Sequence, residues 1–256
     1  MELFEKYYSF GDMHLKYARC DAAVRGQEFH NYHEVVWFLG GDARFISCNV
    51  NCKLKAGTLV VIPKENFHQF VVENQNYTRL IFAFKESNEL FGLISEAMRE
   101  VRLIENPSEK LISLFTQLAD AAKEEMEDSE RELFFRAALV HLLVYLKRQT
   151  NSPEAKRDGI SPTVREAIRL IEENYPNHLS LESIAASLHI SPSTLSHKFS
   201  SELNISVYKY VTRKRLSAAR KLIESGENMT VAASACGFSD YSCFYRLYKK
   251  FSKQDQ

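Results

Sequence analysis

The sequence predicts an α+β protein. A small β-barrel or sandwich comes first, three helices follow, and the C-terminal part is all-α with two helix-turn-helix units. Three observations carry this. Residues 35–84 hold short β-branched and aromatic runs punctuated by Gly, Pro and Asn. Residues 87–149 carry apolar side chains at i, i+3, i+4 and i+7. Residues 180–251 hold one helix-turn-helix pattern twice. With 256 residues there is room for two ordinary domains.

Composition narrows the classes. Formal net charge is zero, but residues 1–159 carry 20 basic against 24 acidic side chains, and residues 160–256 carry 13 against 9. A basic C-terminal part behind an acidic one fits nucleic acid at that end. Met1-Glu2-Leu3-Phe4-Glu5 has neither the basic nor the apolar region of a signal peptide. No apolar run approaches the ~18 residues of a membrane span. Five scattered cysteines, an odd number, argue against a disulfide framework. A reducing cytoplasm is the expected compartment, with no membrane partner.

Along the N-terminal part, Val35 to Leu39 ends at Gly40-Gly41, and Arg44 to Val50 alternates by twos. Thr58 to Ile62 lies between Gly57 and Pro63, and Phe67 to Val72 and Tyr77 to Phe84 follow. Strands this short and close predict a barrel over about residues 1–86. Regular alternation puts His30, Tyr32 and Glu34 on one face and His33 on the other. His30, Glu34 and His68 are thus a candidate three-ligand set, since a metal needs about three or four converging donors. The reading adopted is instead a pocket for a small organic ligand, lined by His30, Tyr32, Glu34, Trp37 and His68. It includes no metal, no other cofactor and no catalytic residue. Cys48 and Cys52, with Cys20 elsewhere, read as small buried hydrophobes rather than a thiol sensor.

Gly57, Pro63 and His68 have the spacing of the second cupin motif, with Glu65 where that motif usually has Gly. His30, Glu34 and Gly41 look like a degraded first motif, with Tyr32 where metal-binding cupins have their second His. This part therefore resembles the cupin barrel. The resemblance implies a cupin-like fold and, as an alternative function, a metal-binding or enzymatic domain.

Residues 88–103 predict a helix, closed by Asn106-Pro107-Ser108. A second helix aligns Leu111, Leu114, Phe115, Leu118, Ala121 and Ala122. A third aligns Phe135, Leu139, Leu142, Leu143 and Leu146, with Ser129 as its N-cap. Each stripe needs a partner, either the barrel of the same chain or the helices of a second copy. The polar stretch 151–160 predicts a linker between a domain at 1–150 and another at 161–256.

Ser161-Pro162 opens the C-terminal part as N-cap and first helical residue, with Val164, Ile168, Ile171 and Tyr175 facing inward. Ser180 caps a helix from Leu181 to Ser187, and Ser191-Pro192 starts one to about Glu202. Ser206 caps a long helix to about Ser225, roughly 28 Å at 1.5 Å per residue. Adding 48 carries Leu181 to Met229 and Ala185 to Ala233, and adding 49 carries Leu195 to Phe244 and Phe199 to Tyr248. The units fall at about 181–202 and 229–251, and the slip lies in the turn. A helix of that length can set two reading helices into successive major grooves, ~34 Å apart.

Helical phase selects the reading faces. Leu195 and Phe199 point inward, so Ser193, Ser196 and His197 face out. Phe244 and Tyr248 point inward, so Ser242, Tyr245 and Arg246 face out, beside Tyr241. Arg246 is the best candidate for a bidentate contact to guanine or a phosphate. Lys198, Arg213, Lys214, Lys249 and Lys250 supply attraction to phosphate.

The segment resembles the AraC family of bacterial transcription regulators. The match rests on Arg215-Leu216 with Ala219, on Gly237-Phe238-Ser239-Asp240 with Ser242, Phe244, Arg246 and Lys249, and on Ile184-Ala185, Ser191, Leu195 and Phe199. It departs at His197, where that family often has Arg, and at Ala232, which replaces a larger apolar residue. The resemblance implies a homodimeric regulator without enzymatic activity. Its expected partners are double-stranded promoter DNA, RNA polymerase and a small-molecule effector in the barrel. The remaining alternative is an effector-independent regulator whose barrel is a dimer scaffold.

Overall fold

A computed structural model describes residues 4–20, 28–73, 76–87, 89–149 and 160–252. The chain divides into two compact units. Met1–Glu28, Tyr32–Ser47 and Cys52–Lys156 form one, and Phe29–Asn31, Cys48–Asn51 and Arg157–Gln256 form the other. Most of the expected linker, residues 151–159, lies outside the described residues. No described helix is long and apolar enough to cross a membrane.

The first unit opens with a hairpin that the sequence reading did not name, β1 (Phe4–Phe10) and β2 (Met13–Cys20). Phe10 pairs with Met13, and Gly11 takes the turn at φ 53°. Glycine at the first central position suits a two-residue hairpin turn. Then come β3 (His33–Gly40), β4 (Ala43–Ser47), β5 (Asn51–Lys53), β6 (Leu59–Ile62), β7 (His68–Val72) and β8 (Tyr77–Phe84). The strand expected over Arg44 to Val50 stops at Ser47, and the chain re-enters the sheet as β5.

The helix expected over 88–103 is a correction. The chain forms α1 (Phe91–Ala97) and then a short strand, β9 (Arg102–Ile104). β9 pairs with β6, Leu59 opposite Ile104. Arg102 donates to the carbonyl of Ala97 at 2.6 Å, and Val101, Leu103 and Ile104 are buried. Pairing the open edge of β6 while burying three apolar side chains outweighs continuing the helix.

Six strands form one antiparallel-paired sheet, in the order β1-β2-β8-β3-β6-β9, and three form another, β5-β4-β7. Along β8, Leu80, Phe82 and Phe84 join one apolar cluster with α2 (Glu109–Ala121) and α3 (Asp128–Arg148). Leu111, Phe115, Leu118, Phe135, Leu142 and Leu146 are buried there. Each such side chain contributes about 1.5–3 kcal/mol, so both expected stripes find their partner in the same chain. The N-cap of α3 is Glu127, not Ser129, and it makes no side-chain capping bond. Asp128 and Glu130 in the first turn favour the start instead, through the helix dipole.

The opposite face of β8 turns Tyr77 and Arg79 toward the smaller sheet. The Phe70 and Tyr77 rings lie 6.3 Å apart, and the Arg79 guanidinium stands 5.6 Å from Phe70 and 5.3 Å from Tyr77. Phe38 is fully buried and stacks on Tyr77. In the loop before β7, Glu65 is held left-handed at φ 60°, where the cupin motif has its glycine.

The second unit contains α4 (Pro162–Asn174), α5 (Leu181–Ser187), α6 (Pro192–Leu203), α7 (Val207–Glu224), α8 (Met229–Ala235) and α9 (Tyr241–Ser252). Ser161, Ser180, Ser191 and Ser206 all cap through their side chains, accepting from Val164, Ser183, Thr194 and Lys209. Each such cap stabilises by about 1 kcal/mol. Asn228 and Asp240 do the same for α8 and α9, accepting from Thr230 and Cys243 at 2.8 Å.

The repeat is exact in length. α5 and α8 each have 7 residues, and α6 and α9 each have 12. Both turns pass through the left-handed region at matching positions, His189 at φ 55° and Gly237 at φ 86°. Only the second is a glycine, and a Cβ there would meet the Pro176 carbonyl oxygen at 2.6 Å. Gly237→Ala should therefore destabilise this unit by more than about 2 kcal/mol, left-handed strain plus a backbone clash. His189→Gly should leave stability unchanged or raise it by up to about 1 kcal/mol. Thermal unfolding of the two variants checks this, and an equal loss in both would contradict it.

Candidate functional site

The two reading helices are built alike. On α6, Leu195, Phe199 and Leu203 are buried, and Ser193, Ser196 and His197 are exposed. On α9, Phe244 and Phe251 are buried, and Tyr241, Ser242, Tyr245 and Arg246 are exposed. All seven residues singled out for DNA thus lie on open helix faces. Tyr241 and Tyr245 stack at 6.2 Å, forming an aromatic flank beside Arg246.

The second unit compensates for its small Ala232 with rings. Phe244 packs on Phe238 at 5.1 Å and on Tyr248 at 5.3 Å. The Arg220 guanidinium covers buried Phe251 at 4.1 Å. Among the basic residues expected near phosphate, Lys249 and Lys250 are exposed. Lys214 is instead engaged by Glu172 at 3.0 Å.

Arg215 ties this frame together. Its Nε donates to the carbonyl of Tyr175 at 2.7 Å, and a terminal nitrogen donates to that of Asn177 at 2.8 Å. Sequence reasoning gave Arg215 only as part of a pattern, because its partners are backbone atoms about 40 residues away. A cleft of about 560 Å³ opens between the two helix-turn-helix units, lined by Ile184, Ser196, Val211, Arg215, Phe238 and Leu247 among others.

A second cluster lies in the barrel. It brings Glu28, Glu34 and His68 together. His68 Nε2 is 3.5 Å from Glu28 Oε2 and 3.3 Å from Glu34 Oε2. An isolated β-bridge fixes Glu28 opposite His68, its N–H donating to the His68 carbonyl at 2.8 Å. The His68 Nδ1 lies 3.0 Å from the Asn66 carbonyl, which fits an Nδ1–H donor and directs Nε2 to the carboxylates. Burial works to lower the His68 pKa, but the Glu28 and Glu34 carboxylates outweigh it and hold it up at about 10.

Of the expected pocket residues, Glu34 and His68 come together, and His30 is buried. Glu28 was missed, although the same alternation carries it onto the face of His30 and Glu34. Tyr32 stands edge-on to His14, at 6.0 Å. Trp37 is a correction, because it packs on Phe115 of α2 at 5.9 Å, on the face opposite Glu34. Strand alternation puts it with His33, whose ring stacks on Phe84 at 5.4 Å. Burial raises the thiol pKa of Cys48, Cys52 and Cys236, which disfavours reactive thiolate.

A helix-turn-helix domain model matches residues 184–254. The chain is 40% identical over 93 residues to the HTH-type transcriptional regulator YijO of Escherichia coli (strain K12), covering 35% of this chain and 32% of that protein. It thus spans about a third of that relative's length. It is 21% identical over 238 residues to the HTH-type transcriptional activator RhaS of Citrobacter koseri, covering 88% of this chain and 83% of that one. The solved structure of unsaturated fatty acid bound ToxT from Vibrio cholerae aligns over 95% of this chain and 93% of its own, at 13% identity and a TM-score of 0.42. The paired helix-turn-helix units, the domain match over residues 184–254 and the two regulator relatives together show that the C-terminal part carries a helix-turn-helix domain similar to those of transcription regulators.

Proposed function

We propose that the protein regulates transcription by binding a specific double-stranded promoter sequence through α6 and α9, under control of a small effector in the barrel. The observation that carries this is the pair of reading helices, equal in length and each open on its polar face. Ser193, Ser196 and His197 offer hydrogen bonds and backbone contacts. Arg246 offers a planar fork for guanine, and Tyr241 and Tyr245 offer ring faces to sugars and thymine methyls. The effector would bind beside Glu34 and His68 in the barrel. It acts only if it binds two states of the protein unequally. Output then runs through RNA polymerase at the promoter.

The partner state follows from α3. Its inner stripe is used by the barrel, yet Leu133 on its outer side is 69% exposed and Val140, seven residues on, is 39% exposed. Residues seven apart share a helix face, and the occupant proposed for it is the same face of a second copy.

Two experiments test these readings. In vitro selection followed by fluorescence anisotropy gives the site and its affinity. Arg246→Ala should weaken binding about 10–100-fold, the loss of one bidentate contact, and relax preference at one position. Unchanged affinity and preference would remove Arg246 from its role. In sedimentation velocity, Leu133→Glu with Val140→Glu should convert a dimer to a monomer, and a dimer that persists would rule out this face.

A further inference from the structure

We propose that the cleft between the two helix-turn-helix units binds a small amphipathic organic anion, its charge at Arg215 and its apolar body against α5, α7 and α9. The site lies within the C-terminal unit and is separate from the effector site proposed for the barrel.

Three features support it. The first is shape. The cleft holds about 560 Å³, within the range of roughly 300–1,000 Å³ of small-molecule sites. Ile184, Val207 and Val211 are buried lining residues, and Phe238 and Leu247 are half-buried ones. Such a recess suits a compact ligand, whereas a protein partner needs roughly 800 Å² on each side.

The second is charge. Among the described residues the cleft is lined by one cation, Arg215, and one carboxylate, Asp240. The Asp240 carboxylate is engaged at the start of α9, where it accepts from the Cys243 N–H at 2.8 Å. The Arg215 guanidinium donates to two backbone carbonyls, and no carboxylate among the described residues pairs with it. Burial lowers its pKa, so the cation is short of compensating charge. A carboxylate in the cleft supplies that charge through a charge-assisted hydrogen bond, for which the guanidinium keeps further N–H donors.

The third is preorganisation. The two carbonyls already hold the Arg215 side chain, and Gly237 at the cleft wall is packed against Pro176. Binding therefore costs little side-chain freedom. Ser196 and Thr212 add hydroxyls to the lining. Ser196 also stands on the exposed reading face of α6. A bound anion thus puts negative charge beside the surface proposed to meet DNA phosphates.

The test titrates the full chain with indole-3-acetate, and with indole-3-acetamide as its uncharged analogue, by calorimetry. The expected result is one acid per chain with a Kd of about 0.1–1 mM, and an amide at least ~10-fold weaker. Thr212→Trp fills the cleft outside the reading faces and should abolish binding. Arg215→Gln should weaken the acid to the level of the amide. Circular dichroism monitors the fold, and the Thr212 variant with the amide comparison decides the matter where Arg215→Gln unfolds. In fluorescence anisotropy, saturating acid should weaken binding of the native protein to the selected DNA by ~3–10-fold, the effect of one nearby charge in water. No binding of the acid, equal affinity for acid and amide, or binding that survives Thr212→Trp would overturn the proposal. Loss of DNA binding in Thr212→Trp with no acid binding in the native protein would give the cleft to the DNA backbone instead. The calorimetry needs no DNA, so the site and the regulator reading fail separately.

Discussion

The C-terminal unit depends on the fork of Arg215. The last carbonyls of a helix have no intrahelical donor, and at the end of α4 two nearby carbonyls, of Tyr175 and Asn177, are taken by this one guanidinium. The Pro176 carbonyl between them lies against Gly237, and a Cβ on that glycine would stand 3.1 Å from Arg215 Nε. One side chain of the long helix thus meets both the corner before the first helix-turn-helix unit and the turn of the second. A lysine could not bond two fixed carbonyls in a planar fork. Since α6 and α9 each leave one of these units, their mutual placement is anchored here.

The barrel uses the opposite strategy, with long-range strand pairing in place of a single tie. Glu28 and His68 are joined by a two-way backbone bridge across 40 residues of sequence. β8 serves two cores at once. Leu80, Phe82 and Phe84 hold the helices, while Tyr77 and Arg79 face the smaller sheet. Two buried ionisable groups of the interior sit among compensating partners. Arg79 lies near two ring faces, and His68 lies between two carboxylates.

What could be read from the sequence followed the range of the physics. Caps act over three residues, so Ser161, Ser180, Ser191 and Ser206 were all legible. Helix phase acts over seven, so the buried Leu195, Phe199 and Phe244 fixed the exposed faces correctly. The cap expected at Ser129 fails locally, since α3 starts at Asp128 without a side-chain cap, and the other failures need longer reach or finer alternation. β9 exists only because β6 offers an edge some 40 residues earlier, and its three residues are too few to show a period. The aromatic type of Trp37 suggests a pocket wall, but strand alternation sends it toward α2. Alternation puts Glu28 on the face of Glu34, but its partner His68 joins it only through the fold.

The two helix-turn-helix units are unequal in a way the turn explains. The first accepts a left-handed His189 and presents small polar groups, a face suited to backbone contact. The second has glycine at the matching position because Pro176 and Arg215 crowd it. It also carries the arginine and the stacked tyrosines. The unit that carries Arg246 and the stacked tyrosines is therefore the one whose turn is packed against the frame.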